Sequence, residues 1–408
     1  MATRLPFTSL STPRDLAERQ LELDEARTRQ LPFLFQRKLA RMALSPLAFL
    51  RGAAPLFYEL CRDHRALRDG PAGEGWLVGD AHVENFGAYR AGEAEKGAPV
   101  VYDLNDFDDA FVGPWHVDLL RVLTSLTLAG RELGADGRQS MALARLFLDG
   151  WSDSAFADRR LPAPPKPVAS LVAQVKGRSA RELLDARTRV HGQKRRFVRG
   201  PRYVDLPKSV AEGVRSAFAR YLRSLPAADC PRAEHLEIWD AAQRIAGTGS
   251  LGVVRVAVLV CGKGRDAAWI FDMKEQGDPS AAVAFAPPSL RPASRVETAF
   301  RACVARPPRL VGTTELGGRS MFVRKLTPQE DKLDLSHVRG QDLRALATYG
   351  GMLLGRAHAR GATKPSRRPW SEADKTEMLG RVIAMASAHE GAYLALCDAI
   401  RTRGLLPS

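Results

Sequence analysis

A chain of 408 residues with 45% hydrophobic content has the make-up of a globular protein able to bury a sizeable core, as two or three domains or one large two-lobed enzyme. Its 61 Lys and Arg outnumber 46 Asp and Glu, and the formal charge of +15 favours polyanions such as nucleotides, nucleic acid or acidic lipid surfaces. Five Cys without a CxxC pair argue against a zinc site or disulfide framework and for a reducing compartment. No secretory h-region opens the chain and no apolar run reaches the roughly 18 residues of a membrane span, so a cytoplasmic location is expected.

In chain order, the first predicted helix covers "STPRDLAERQLELDEARTRQL", capped by Thr12 with Pro13 at the first helical position. A second runs through "FQRKLARMALSPLAFLRG", and "APLFYELCRDH" keeps the helical period. Two strand-like runs follow, "GWLVGD" and "APVVYDL", with "FGAYRAGEAEKGAP" between them as a loop or hairpin tip. "GPWHVDLLRVLTSLTLAGRELG" is a strongly apolar helix, and the Pro cluster at 161–167 marks an exposed linker. Ser179 with Glu182, and Ser209 with Glu212, form capping-box patterns at the heads of two more helices. Between them lies the basic "HGQKRRFVRGPRY". Near residue 240 the texture changes to two strands joined by "GKGRD", the helix "ASRVETAFRACV" and a hairpin turning at Gly317-Gly318. From 336 onward the chain is helical again, one helix stopping at Gly361, and there is no internal repeat.

The stretch "GTGSLGVV" (247–254) fits G-x-G-x-x-G-x-V. Gly247, Gly249 and Gly252, with Thr248 and Ser250 between, would let backbone N–H groups approach phosphates. A Rossmann reading requires a helix next, but a strand follows. A further apolar strand ends at Lys274, where a Lys can pair with α- and β-phosphates as the third-strand Lys of kinases does. Glu297, on the helix after it, is expected to hold that Lys by an ion pair. The same glycines also suit a plain tight hairpin.

In "GDAHVEN", Asp80 and Asn85 have the D-x-x-x-x-N spacing in which the Asp accepts a hydroxyl proton and the Asn binds Mg²⁺. Asp106 in "NDFDDA" is expected to carry a metal that bridges β- and γ-phosphates, with Asp108 assisting as a further acid. Mg²⁺ takes few carboxylates and completes its sphere with water and phosphate oxygens, so Asn85, Asp106 and Asp108 suit it. His82 is expected to orient the loop by hydrogen bonding, and Asp103 and Asn105 read as turn-formers.

"GDAHVENFG", "DFDDA" and "GPWHVDLLR" together resemble the aminoglycoside phosphotransferase and choline-kinase-like proteins. These carry a GDxHxxN loop, an Asp-Phe-Asp/Glu metal motif and a following Asp that braces the catalytic loop, here Asp118. "LLGRAHARG" resembles the helix that precedes that loop in the family. The order departs from the family: loop and metal Asp come first, and glycine loop, Lys274, the hinge "FVRKL" and the helix come later, as in a circular permutation. The motifs "RMALSPLAFLRG", "GDAHVENFG", "NDFDD", "GTGSLG", "MKE", "VRKL" and "GGMLLGRAHARG" also resemble an uncharacterised bacterial family, a domain of unknown function, over roughly residues 30–365.

The resemblance implies an α+β, two-lobed, circularly permuted protein-kinase-like fold. Residues 1–235 would open a helical catalytic lobe, 236–326 form a small β lobe, and 327–408 complete the helical lobe. The implied activity is an ATP- and Mg²⁺-dependent phosphotransferase acting on an unidentified hydroxyl acceptor, with Asp80 as base. Adenylyl transfer would use the same parts. Other readings are a dinuclear metal phosphoesterase, a non-catalytic nucleotide-binding pseudokinase, and a nucleic-acid binder using Phe197 and Tyr203 to stack bases.

Overall fold

The computed structural model describes residues 11–29, 33–92, 98–157, 160–227, 229–232, 236–246, 253–286, 289–364 and 368–406. The protein is mixed α+β, its helices surrounding small antiparallel sheets. No helix among the described residues is long and apolar enough to cross a membrane.

The N-terminal helix Pro13–Thr28 starts as its sequence dictates, with Thr12 and Asp15 in a reciprocal capping box and Pro13 at the first position. The single helix expected over 35–52 is two, Phe33–Met42 and Pro46–Gly52. Pro46 drives its predecessor out of the α region, and Ser45 turns this into a new N-cap by accepting from the Ala48 N–H. The helix expected to be capped by Ser209 begins earlier, at Lys208 after Pro207, and has no side-chain cap. Ser209 therefore sits inside the first turn.

A six-stranded antiparallel sheet carries the strands in the order Val311–Leu316, Arg319–Leu326, Trp269–Glu275, Arg255–Val260, Ile238–Arg244, Tyr203–Val204. Alternation gives it two different faces. Phe271 and Met273, with Val256, Val258 and Val323, pack against Val214, Phe218 and Tyr221 of the helix Lys208–Ser224. The opposite face bears Ile270, Asp272 and Lys274. There Ile270, Ala257 and Leu259 are covered by Leu184, Phe197 and Tyr203.

The basic stretch at 191–203 is part of that cover. It forms a hairpin, Thr188–His191 with Lys194–Phe197, and its aromatic rings are buried and stacked on each other at 4.5 Å. Arg199 pairs with Asp240 and Asp205. Phe197 and Tyr203 are thus core residues with no face left to stack a nucleic-acid base, which corrects that expectation.

The main core lies among the helices Trp115–Glu132, Gly137–Ala155, Gly340–Arg360 and Glu372–Arg403. Two short sheets attach to it: Glu74–Leu77 between Ala362–Lys364 and Phe111–Pro114, and Phe86–Arg90 between Asp331–Lys332 and Val100–Leu104. Phe86–Arg90, expected in a loop or hairpin tip, is a nearly buried strand whose partner is the second acidic run. Asp103, expected in a turn, lies inside that partner strand, buried and 3.8 Å from Arg360.

Candidate active site

Both short sheets end at one point. Asp80 follows Glu74–Leu77, and Asn105 to Ala110 link Val100–Leu104 to Phe111–Pro114. The two connections touch at Gly79. Its φ of +84° is open to glycine and strained for other residues, and a Cβ there would run into the Asp109 carbonyl oxygen. The Gly79 carbonyl in turn accepts from the buried Tyr58 hydroxyl.

Asp118 fixes the strand end from behind. Its carboxylate accepts from the Val78 N–H at 2.7 Å and the Gly79 N–H at 3.0 Å, and lies 3.2 Å from His358 Nε2. The Trp151 indole donates to His358 Nδ1 at 3.0 Å, so the other ring nitrogen carries the proton that faces Asp118. The bracing acid and the "RAH" histidine, expected from separate motifs, are one hydrogen-bonded unit.

Within the loop, Asn85 Oδ1 accepts from the His82 N–H, and His82 Nδ1 accepts from the Glu84 N–H at 3.1 Å. Burial, helped by Arg51, Lys332 and Arg121, holds His82 well below its ordinary pKa, so the ring is neutral. It orders the turn.

Asp80 is held by a residue the sequence reading missed. Arg121, fully buried, donates to Asp80 Oδ1 through Nε at 2.7 Å and through Nη2, and Nη2 also reaches the Leu50 carbonyl at 3.0 Å. A guanidinium on an otherwise apolar helix face, three residues after Asp118, was the available signal. Burial pushes the Asp80 carboxyl up, Arg121 pulls it back, and Asp109 and Asp106 raise it again, to about 6.

Lys274 reaches the same place from the six-stranded sheet. It pairs with Asp108 Oδ2, 166 positions away, while Gln276 donates to Asp108 Oδ1 at 2.9 Å. Burial lowers the Lys274 pKa to about 8, against the pull of Asp106. The expected Lys274–Glu297 ion pair does not form. Glu297 pairs with Arg301 one turn along its helix at 2.9 Å. Arg295 is the residue of that helix that reaches inward, donating to the carbonyls of Asp108 and Ala110. This polar scaffold went unrecognised because an Arg in an amphipathic helix reads as surface.

Asp80, His82, Asn85, Asp106, Asp108 and Lys274 all line one cavity of about 590 Å³. The Asp106 carboxylate takes no hydrogen bond among the described residues. Burial pushes its pKa up, but Lys274, Lys332, Arg324 and Arg255 together bring it below the ordinary value. Gly247, Thr248, Gly249, Ser250 and Gly252 lie outside the described residues. Among the described residues no group of three or more His, Cys, Asp or Glu is set to hold a metal ion. Asp106 and the lone pair of the Asn85 amide oxygen not used by the His82 N–H are still the kind of sparse oxygen set that Mg²⁺ completes with water and phosphate. Asp108 has both oxygens engaged by Lys274 and Gln276.

Residues 29–399 match the model of a family described as an uncharacterized protein conserved in bacteria (DUF2252). The chain belongs to that family. No curated protein and no solved structure matches it. What this family member does must therefore come from the cavity itself.

Proposed function

We propose that the protein is an ATP- and Mg²⁺-dependent phosphotransferase of circularly permuted protein-kinase-like fold, acting on a hydroxyl acceptor. One observation carries the reading: a strand Lys, an Asp-x-x-x-x-Asn turn and a second acidic connection, set apart in sequence, line a single cavity. The chain order adds support, since the helix Pro292–Cys303 falls between the Lys strand and the next hairpin.

In this reading Asp80 takes the proton of the attacking hydroxyl. A carboxyl near pKa 6 is ionised at neutral pH and more basic than an ordinary one. Arg121 holds it in place, and the neutral His82 orders the turn by accepting from the Glu84 N–H. Lys274, released by Asp108, neutralises phosphate oxygens. Asn85 and Asp106 would hold Mg²⁺, which when bound supplies the charge neutralisation this chemistry depends on. Adenylyl transfer uses the same groups and is separated by the product.

A thermal-shift titration with ATP and Mg²⁺ tests the reading, because a ligand that binds only the folded state raises the midpoint. Wild type should be stabilised, and Lys274→Ala and Asp106→Asn should abolish the response. A folded wild-type sample indifferent to ATP rules the reading out. ADP as product marks phosphoryl transfer, pyrophosphate adenylyl transfer.

A further inference from the structure

A second cavity, of about 430 Å³, lies under the segment that leaves the six-stranded sheet after Leu326. It adjoins the first. Lys332 lines both, Asn105 faces one, and its neighbour Asp106 faces the other. Five cationic side chains line it against three acidic ones. The positive excess continues in its wall. Asp272 is gripped by Arg255 at 2.9 and 3.0 Å and by Arg244 at 2.8 Å, and Arg324 stands opposite it in the strand register. One carboxylate thus pairs with two guanidinium groups and lies in the field of a third, Arg324, which itself pairs with Glu330 at 3.4 Å. Burial pushes it up, yet the arginines hold it far below the carboxylate range. Arg244 Nε has no hydrogen-bond acceptor among the described residues, although its side chain is only 14% exposed. A guanidinium N–H shut away from water calls for an acceptor.

We propose that this cavity is a phosphate subsite contiguous with the cleft, holding a further phosphate group of the ligand among Arg187, Arg244 and Arg324, so that cleft and subsite together favour a longer phosphate chain over a shorter one. The guanidinium fork matches phosphate oxygens in pairs, which a Lys cannot do. The proposal rests on the phosphate-binding reading of the cleft and narrows what fills it.

Calorimetric titration of the full chain, in Mg²⁺, with inorganic pyrophosphate and with inorganic tetrapolyphosphate tests it. Wild type should bind the longer chain about tenfold tighter or more. Arg324→Gln should remove most of that advantage and leave pyrophosphate affinity within about twofold. Arg187→Gln, which removes no buried ion pair, should do the same and keeps the test valid if the first variant is unstable. Lys274→Ala should weaken both ligands alike. Arg215→Gln makes the same charge change on the exposed side of the helix Lys208–Ser224 and should alter neither. If the cavity variants leave the ratio of the two affinities intact while Lys274→Ala weakens both, the subsite is wrong and the cleft stands. If Arg215→Gln lowers the ratio equally, general charge explains it and the subsite is wrong. If Lys274→Ala changes neither affinity, the phosphate reading of the cleft falls, and the subsite with it.

Discussion

Asp118 Oδ2 lies 3.2 Å from His358 Nε2, joining helices 240 positions apart behind the strand that delivers Asp80. The carboxylate also holds the Val78 and Gly79 N–H groups. Asp118→Ala would strand two backbone donors and a histidine in a buried place, and should destabilise the fold by about 3 kcal/mol. His358→Phe keeps the ring packed on Trp115 and loses only the side-chain bonds, so about 1 kcal/mol is expected. Urea denaturation at neutral pH compares them, and equal losses would show that the backbone contacts carry nothing.

Asp80 gives the stability curve a recognisable slope. Its folded pKa, about 6, lies above the 3.8 of an unperturbed group. Between these values the folded state binds the extra proton, so stability falls as pH rises from about 4 to 6. The full effect is roughly 2–3 kcal/mol. Asp80→Asn should flatten that window. Under the proposed mechanism kcat/KM should rise through pH 6, and Arg121→Gln should move this limb upward because it removes the cation that favours ionised Asp80. A limb that stays in place in Arg121→Gln would remove Asp80 from the role of base.

Lys274 sets the other side of the profile. Burial lowers its folded pKa to about 8, below its ordinary 10.5. Burying the cation therefore destabilises the fold below pH 8, and stability rises as pH climbs from 8 toward 10.5 and the penalty is lifted. Affinity for a phosphate ligand should fall above pH 8 as the charge is lost, and Lys274→Ala should make that affinity insensitive to pH there. Titrations at pH 7 and 9 are sufficient to decide.

Asp108 competes with a bound phosphate for the same ammonium group. In the presence of a chelator, Asp108→Ala should therefore bind inorganic tripolyphosphate several-fold more tightly than wild type. Weaker binding in the variant would mean that Asp108 positions Lys274 for the ligand and does not oppose it.

Gly79→Ala should be among the most damaging single changes. The added methyl group meets the Asp109 carbonyl, and φ of +84° is unfavourable for alanine. Loss of about 2–4 kcal/mol is expected, or failure to fold. A variant of wild-type stability, seen by thermal denaturation, would show that the two acidic connections separate freely.

Much of the cavity could be read from the sequence because its residues sit at strand ends, where short apolar runs stop at Asp80 and before Asp106. Lys274 was legible for the same reason. The residues that hold these groups were not. Arg121, Asp109, Arg295 and Gln276 owe their roles to contacts 41 to 187 positions apart, which no local spacing encodes. Glu297 failed because a helix offers an acid a partner one turn away, and Arg301 was nearer than Lys274. Asp103 failed because a strand can carry an acid inward when an arginine waits there.

Asp331–Lys332, the continuation of the chain that leaves the six-stranded sheet at Leu326, pairs residue for residue with Gly87 and Ala88, just past the Asp80–Asn85 turn. The sheet bearing Lys274 is thus stitched by backbone to the turn bearing the acids. Any rocking that widened the mouth would have to break or strain this seam, so the backbone pairing ties the spacing of the sheet to that of the acids.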